Sequence, residues 1–215
     1  MTTSTTARRL LLLSAVACVA AAQDGSAHHI RLGLESLPRD HEIETRRTVG
    51  STEVSTTSDG KWDEAGRLTL GYQWTVDRVA PVSFILGAGL AFSSLTKEEG
   101  STETTFSETG IYIEPGVAWH VGSNFDLEFG LRLGAGAADP EAKSGNTTVE
   151  YDTAGYGEAG LHARGIYHFD AGFELGAELS LFGQTMTIES ESASDVESDV
   201  STSGAAFGLV AGWRF

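Results

Sequence analysis

The chain has 215 residues, enough for one domain of ordinary size, with 14 Lys and Arg against 30 Asp and Glu and a formal net charge of −16. That acidity argues against nucleic-acid binding, since phosphates would be repelled. The one cysteine, Cys18, leaves no material for an internal disulfide.

Residues 1–22 read as a signal peptide. Arg8 and Arg9 form a basic start, Leu10 to Val19 an apolar run, and Ala20-Ala21-Ala22 a small-residue cleavage region before Gln23. The run is too short to span a bilayer as a helix. Cleavage near Ala22 removes both arginines, leaves 12 basic against 30 acidic residues, and takes the net charge to about −18. Cys18 leaves with the signal; the competing reading makes "AVAC" a lipoprotein signal with Cys18 acylated, although Ala15 is a poor match to the Leu usual there. The domain proper is 23–215.

Beyond the signal, apolar and polar residues alternate with period two. The alternation predicts strands at Ile30–Pro38, Arg67–Val76, Val82–Phe92, Ile111–Val121, Phe125–Ala135, Glu158–Phe169, Phe173–Gly183 and Ala205–Phe215. Most apolar bands are about 9–11 residues long, the length of a tilted transmembrane strand. Connections alternate in length. Asp77–Pro81, Gly122–Asn124 and Asp170–Gly172 are short, whereas 39–66, 93–110, 136–157 and 184–204 are long, polar and rich in Ser, Thr and Glu. Each long segment holds a turn signal: Asp59-Gly60, Glu99-Gly100, Ser144-Gly145-Asn146 and Ala193-Ser194-Asp195. The expectation is four hairpins projecting from an all-β, eight-stranded antiparallel transmembrane up-and-down β-barrel, both termini periplasmic and the long connections extracellular.

Two features decide which face meets lipid. Thirteen of the 26 glycines, including Gly71, Gly89, Gly110, Gly130 and Gly208, share the parity of the charged residues. Small residues belong where strands curve around a narrow interior, so the polar face is inside. Trp74, Phe84, Trp119, Phe125, Tyr167, Phe169, Phe173, Trp213 and Phe215 all fall beside a short turn or a chain terminus, which predicts one aromatic girdle at the periplasmic interface. A soluble lipocalin-like carrier would not sort its aromatics this way.

The chain ends "AAFGLVAGWRF", with Phe207, Leu209, Ala211, Trp213 and Phe215 at alternate positions. With signal peptide, eight bands and alternating loops, it resembles the small outer-membrane barrels of the OmpA-domain and OmpX type. The resemblance is architectural. It implies that Phe207, Leu209, Trp213 and Phe215 form the signal read by the barrel-assembly machinery. It implies further that the partners are outer-membrane lipid and lipopolysaccharide and that the barrel is a monomer. No segment corresponds to a peptidoglycan-binding domain.

Candidate chemistry is sparse, and no cofactor is expected. "WHVGSN" offers His120 and Ser123, but His120 has inward parity and no carboxylate evidently orients it, so an enzyme is not expected. His28, His29, His120 and His168 all fall toward the periplasmic rim and suggest zinc; without a clustered ligand motif, pairing with inward acids is favoured. "TIESESASDVESDVSTS" carries five acids and no base, a solvated loop or a cation-binding surface. "NTT" at Asn146 fits a glycosylation pattern and is discounted.

Inward charges predict a closed lumen. A turn Gly122–Asn124 that sets Val121 opposite Phe125 brings Glu114 opposite Arg132 and His120 opposite Asp126. A turn Asp170–Gly172 that sets Phe169 opposite Phe173 brings Arg164 opposite Glu178 and His168 opposite Glu174. The function expected is structural or surface interaction through long acidic loops; the alternative is a narrow channel for water, ions or small solutes.

Overall fold

A computed structural model describes residues 26–38, 40–49, 52–76, 81–145, 147–189 and 196–215. The signal peptide with Cys18, the turn at 193–195 and Asn146 lie outside them.

Among the described residues eleven strands run in chain order: β1 (Ala27–Ser36), β2 (Asp40–Val49), β3 (Thr52–Lys61), β4 (Glu64–Val76), β5 (Val82–Glu99), β6 (Thr102–His120), β7 (Phe125–Ser144), β8 (Thr147–Glu150), β9 (Ala154–His168), β10 (Phe173–Glu189) and β11 (Val196–Arg214). Eight of them form an antiparallel ring in the order β1-β4-β5-β6-β7-β9-β10-β11, closed by β11 on β1. The closing ladder runs from His29↔Arg214 to Ser36↔Phe207. Phe215 N–H extends it by donating to the His28 carbonyl at 3.0 Å. Closure leaves the eight-stranded ring itself no edge strand, the only way a sheet satisfies its backbone in lipid.

Alternation turns the apolar set outward. Ile111, Leu161, Leu179 and Leu181 are 58–66 % exposed, a surface that makes sense only against lipid. The charged set turns in.

The strands outrun the predicted bands. At about 3.3 Å per residue, β7 with 20 residues is far longer than a crossing requires. The long connections are therefore mostly sheet. β5 and β6 meet at the two-residue turn Gly100-Ser101, with Gly100 at φ +64°, a turn type that glycine suits. β7 and β8 meet similarly at Gly145, φ +59°.

The first long connection corrects the sequence reading. It holds the extra hairpin β2–β3, paired from Asp40↔Lys61 to Val49↔Thr52 and carried on β11. Asp59 and Gly60 are strand residues opposite Glu42 and His41, not a turn. A Cβ on Gly60 would sit 2.5 Å from His41 Nε2; the glycine is there to let the imidazole lie across it.

The extended end encloses an apolar cluster of Leu37, Trp62, Leu95, Phe106, Ala138, Tyr156, Phe182, Met186 and Val200. Trp62 is packed 4.3 Å from His41 and 5.3 Å from Phe106 (ring centroids), and donates its indole N–H to Thr202 Oγ1 at 3.1 Å.

Candidate functional site

The interior below that cluster is the densest concentration of chemistry in the chain. Period two decides which side chains enter it, and the hairpin registers decide which meet. β6 pairs β7 through Ile113↔Leu133 and Gly116↔Gly130, so Glu114 falls opposite Arg132. β9 pairs β10 through Glu178↔Arg164 and Glu174↔His168. Arg132 Nε donates to Glu114 Oε1 at 2.7 Å, and Arg164 Nε bonds Glu178 Oε2. His120 Nδ1 is 2.7 Å from Asp126 Oδ1, and His168 Nδ1 is 2.8 Å from Glu174 Oε1.

These contacts belong to a larger network. Arg132 Nη1 also donates to both oxygens of Glu35, at 2.8 and 2.7 Å, and Nη2 reaches Glu178 at 3.3 Å. Arg164 Nη2 donates to Glu114 at 2.6 Å. Arg31 forks onto Glu128 at 2.7 and 2.9 Å and donates to Gln73 and Glu174 at 2.8 and 3.1 Å. Higher up, Arg67 bonds Glu158 at 2.5 Å and lies over the Phe182 ring. β1 and β7 are four strands apart in the ring of eight, and so are β4 and β9. Arg31–Glu128, Arg132–Glu35 and Arg67–Glu158 therefore cross the full diameter. A cavity of about 20 Å³ remains in the middle, beside Tyr112, Glu114 and Arg164, room for about one water.

Arg31, Glu35, Arg67, Glu128 and Glu158 were not singled out from the sequence: each shares the inward parity of its strand, but no short turn pairs it. β7 and β9 are joined by a long segment, so their register, with Glu128 opposite Arg164, could not be counted from a turn. Bonds across the diameter depend on the shear of the closed barrel, which alternation does not reveal.

Toward the short-turn end the side chains change to histidines. Asp126 Oδ2 is 2.7 Å from His168 Nε2, and Glu174 Oε1 is also 2.7 Å from His29 Nδ1. His29 Nε2 lies 3.1 Å from Thr75 Oγ1. His28 has the opposite parity, stacking on Tyr72 and Phe215 at the exterior. Among the described residues, no three or more His, Cys, Asp or Glu are arranged to hold a metal ion.

His120 corrects the sequence reading in its hydroxyl partner, which is Ser83 at 2.7 Å rather than Ser123, while Asp126, the acid counted opposite it from the turn, orients its other nitrogen. The order Ser–His–Asp is that of a nucleophile with its base. Yet Ser83 is 3 % exposed and sits in β5, laddered to Ala118, whereas an oxyanion needs free donors aimed at it.

Outside, Trp74, Phe84, Trp119, Tyr167, Phe169, Phe173, Trp213 and Phe215 are exposed and Phe125 half-buried, all near the short-turn end. Phe169 packs on Tyr167 at 4.9 Å and on Phe173 at 5.4 Å. Phe207 and Leu209 continue the outward row of β11.

No protein-family model and no curated protein sequence matches the chain. Solved structures do. The outer membrane protein OprG from Pseudomonas aeruginosa superposes with a TM-score of 0.50 at 9 % identity, over 89 % of this chain and 96 % of that one. Ail, the attachment invasion locus protein of Yersinia pestis, gives 0.46 at 14 %, over 90 % and 100 %. The outer membrane protease OmpT from Escherichia coli gives 0.46 at 10 %, over 87 % and 96 %. The chain has the fold of the small outer-membrane β-barrels of Gram-negative bacteria.

Proposed function

We propose that this barrel is a non-conducting, non-enzymatic outer-membrane protein with a structural or surface-interaction role. The observation that carries the reading is the set of three Arg–carboxylate bridges across the full diameter. An eight-stranded barrel is wide enough only for its own side chains or one small ligand, and here the side chains meet in the middle. In this reading the termini and short turns are periplasmic, with the aromatic girdle at that interface. The row Phe207, Leu209, Trp213 and Phe215 is what the assembly machinery reads. Lipid-facing residues on all eight ring strands suit a monomer in direct contact with phospholipid and lipopolysaccharide.

Recognition then falls to the hairpins. Two registers set acid opposite acid, Glu42↔Asp59 and Glu98↔Glu103. Like charges directly opposite weaken a ladder, so this pattern does not serve hairpin stability. It suits a surface that acts on something outside.

A narrow cation-conducting channel is the second reading. It is favoured by the excess of carboxylates in the central layer, where Arg31, Arg132 and Arg164 face Glu35, Glu114, Glu128 and Glu178. Planar-bilayer recording on refolded protein separates the two. The closed reading expects no steady current; a sustained cation-selective current would overturn it.

A further inference from the structure

We infer that the short-turn mouth of the barrel is a proton-binding site, in which His168 holds one structural proton between Asp126 and Glu174. The reasoning is donor counting. An ionised carboxylate only accepts hydrogen bonds, and a neutral imidazole has one donor and one acceptor nitrogen.

His168 Nε2 lies 2.7 Å from Asp126 Oδ2, and Nδ1 lies 2.8 Å from Glu174 Oε1. A neutral ring between two ionised carboxylates would press a lone pair against a lone pair on one side. The three groups together therefore hold one proton more than a neutral histidine and two carboxylates. The ring, which can donate in both directions at once, is where it resides.

The flanking histidines do not need a second proton. A neutral His29 can donate from Nδ1 to Glu174 while its Nε2 accepts from the Thr75 hydroxyl, and a neutral His120 can donate from Nδ1 to Asp126 while its Nε2 accepts from Ser83. Each ends on a hydroxyl, which can supply the missing donor. Only His168 has an acid at both ends.

The site is assembled from every element around it: Asp126 and Glu128 on β7, Glu174 on β10, His29 and Arg31 on β1, His120 on β6, and Arg214 of β11, opposite His29 in the ladder. Arg31 already serves Glu128 and reaches Glu174 only through Nε at 3.1 Å. His168 is thus the charge that joins β7 to β10 at this mouth. Removing its proton breaks one of its two links, so the mouth loosens as the solution becomes alkaline, while the arginine bridges above it keep their charge.

The test is nitrogen NMR of refolded protein with ¹⁵N-labelled histidine in detergent micelles at pH 7. The expected spectrum has both ring nitrogens of His168 protonated, and only Nδ1 of His29 and His120. Asp126→Asn supplies an amide donor to Nε2, so His168 should lose its second proton there, with Glu174→Gln as a second variant should the first not refold. A singly protonated His168 in the wild-type protein, or two protons retained in whichever variant refolds, overturns the inference. The outcome is independent of conductance. A conducting barrel with a doubly protonated His168 defeats only the closed-lumen reading, and a silent barrel with a neutral His168 defeats only this one.

Discussion

Arg132 and Glu114 touch each other, yet their removal should have very different consequences. Arg132 contacts Glu35 with two bonds, Glu114 with one and Glu178 with one, and its guanidinium lies 5.1 Å over the Tyr112 ring. Arg132→Met leaves Arg31 and Arg164 to face four carboxylates, and Glu35 loses both of these bonds. Breaking a buried pair from one side costs about 3–5 kcal/mol, and a stranded Glu35, with Glu114 and Glu178 left to share Arg164 alone, puts this variant at the top of that range. Proton uptake by Glu35 sets the ceiling, since a buried acid neutralises rather than bear a larger cost. Glu114→Gln is milder. The amide oxygen still accepts from Arg132 and Arg164, and the layer becomes three guanidiniums against three carboxylates. What is lost is the charge assistance of two hydrogen bonds, about 1–2 kcal/mol. The assay is equilibrium urea unfolding of refolded barrel in lipid vesicles, followed by tryptophan fluorescence and by the heat-dependent shift in gel migration. Equal destabilisation by the two variants, or a larger loss in Glu114→Gln, would refute the charge count on which the closed lumen rests.

The lipid-facing assignment expects Leu179→Arg, at a position 58 % exposed in β10, to cost about 2–4 kcal/mol if it lies near the bilayer midplane. Tyr151→Arg, exposed beyond the ring, should stay within about 0.5 kcal/mol in the same unfolding assay. Trp62→Ala, at a site 2 % exposed, removes the centre of the apolar cluster and should cost about 3–5 kcal/mol; hydrogen exchange should localise the loss to the extended end, and uniform loosening would count against a separate cap. At the exposed hairpin, hydrogen bonds from Arg46 and Ser55 hold the Glu44 carboxyl below the usual carboxylate range. That contribution is complete above the ordinary carboxylate pKa and disappears as pH falls through the lowered one. Amide protection in β2–β3 should therefore fall toward that of Glu44→Gln on acidification, and an unchanged difference would refute the linkage.

The ring itself was legible because one physical rule, inward polar and outward apolar, repeats along every strand and only the short turns set its phase. Gly122–Asn124 and Asp170–Gly172 are too short to hide a register shift, so two ladders could be counted from them. Asp59-Gly60 misled because Asp-Gly usually marks a turn through glycine's positive φ, while this glycine is needed for space beneath His41. The inward glycines have the same cause. A Cβ on Gly89 would fall 2.6 Å from the Tyr112 ring, one on Gly110 2.2 Å from the Tyr156 hydroxyl, and one on Gly130 2.6 Å from His162. Close backbone acts beside these side chains: a carbonyl oxygen of the adjacent strand would lie 2.4 Å from a Cβ on Gly89 or Gly176 and 2.5 Å from one on Gly116, as a tightly curved wall requires. The apolar cap was hidden in segments whose composition reads as loop; Leu95, Phe106, Met186 and Val200 are spread over four strands and share only their inward parity.

That glycine pattern also explains how the interior side chains come to cross the bore. In a narrow barrel a side chain as long as arginine cannot stand upright against a wall of Cβ atoms on the opposite strands. Glycines on neighbouring strands let Tyr112, Tyr156, His162 and Glu158 lie flat against the wall, which frees the axis for Arg31, Arg67 and Arg132 to reach across it. The bulky residues line the wall and the guanidiniums span the middle. Widening the bore would require breaking bridges in which Arg31, Arg67 and Arg132 are each bound on the far side of the barrel, and separating any one exposes charge on both walls at once. Opening is thus opposed collectively, layer by layer, from the histidines at one mouth to the Trp62 cluster at the other. In the proposed reading, a lumen built this way stabilises the wall, and recognition is left to the acidic hairpins that stand on it.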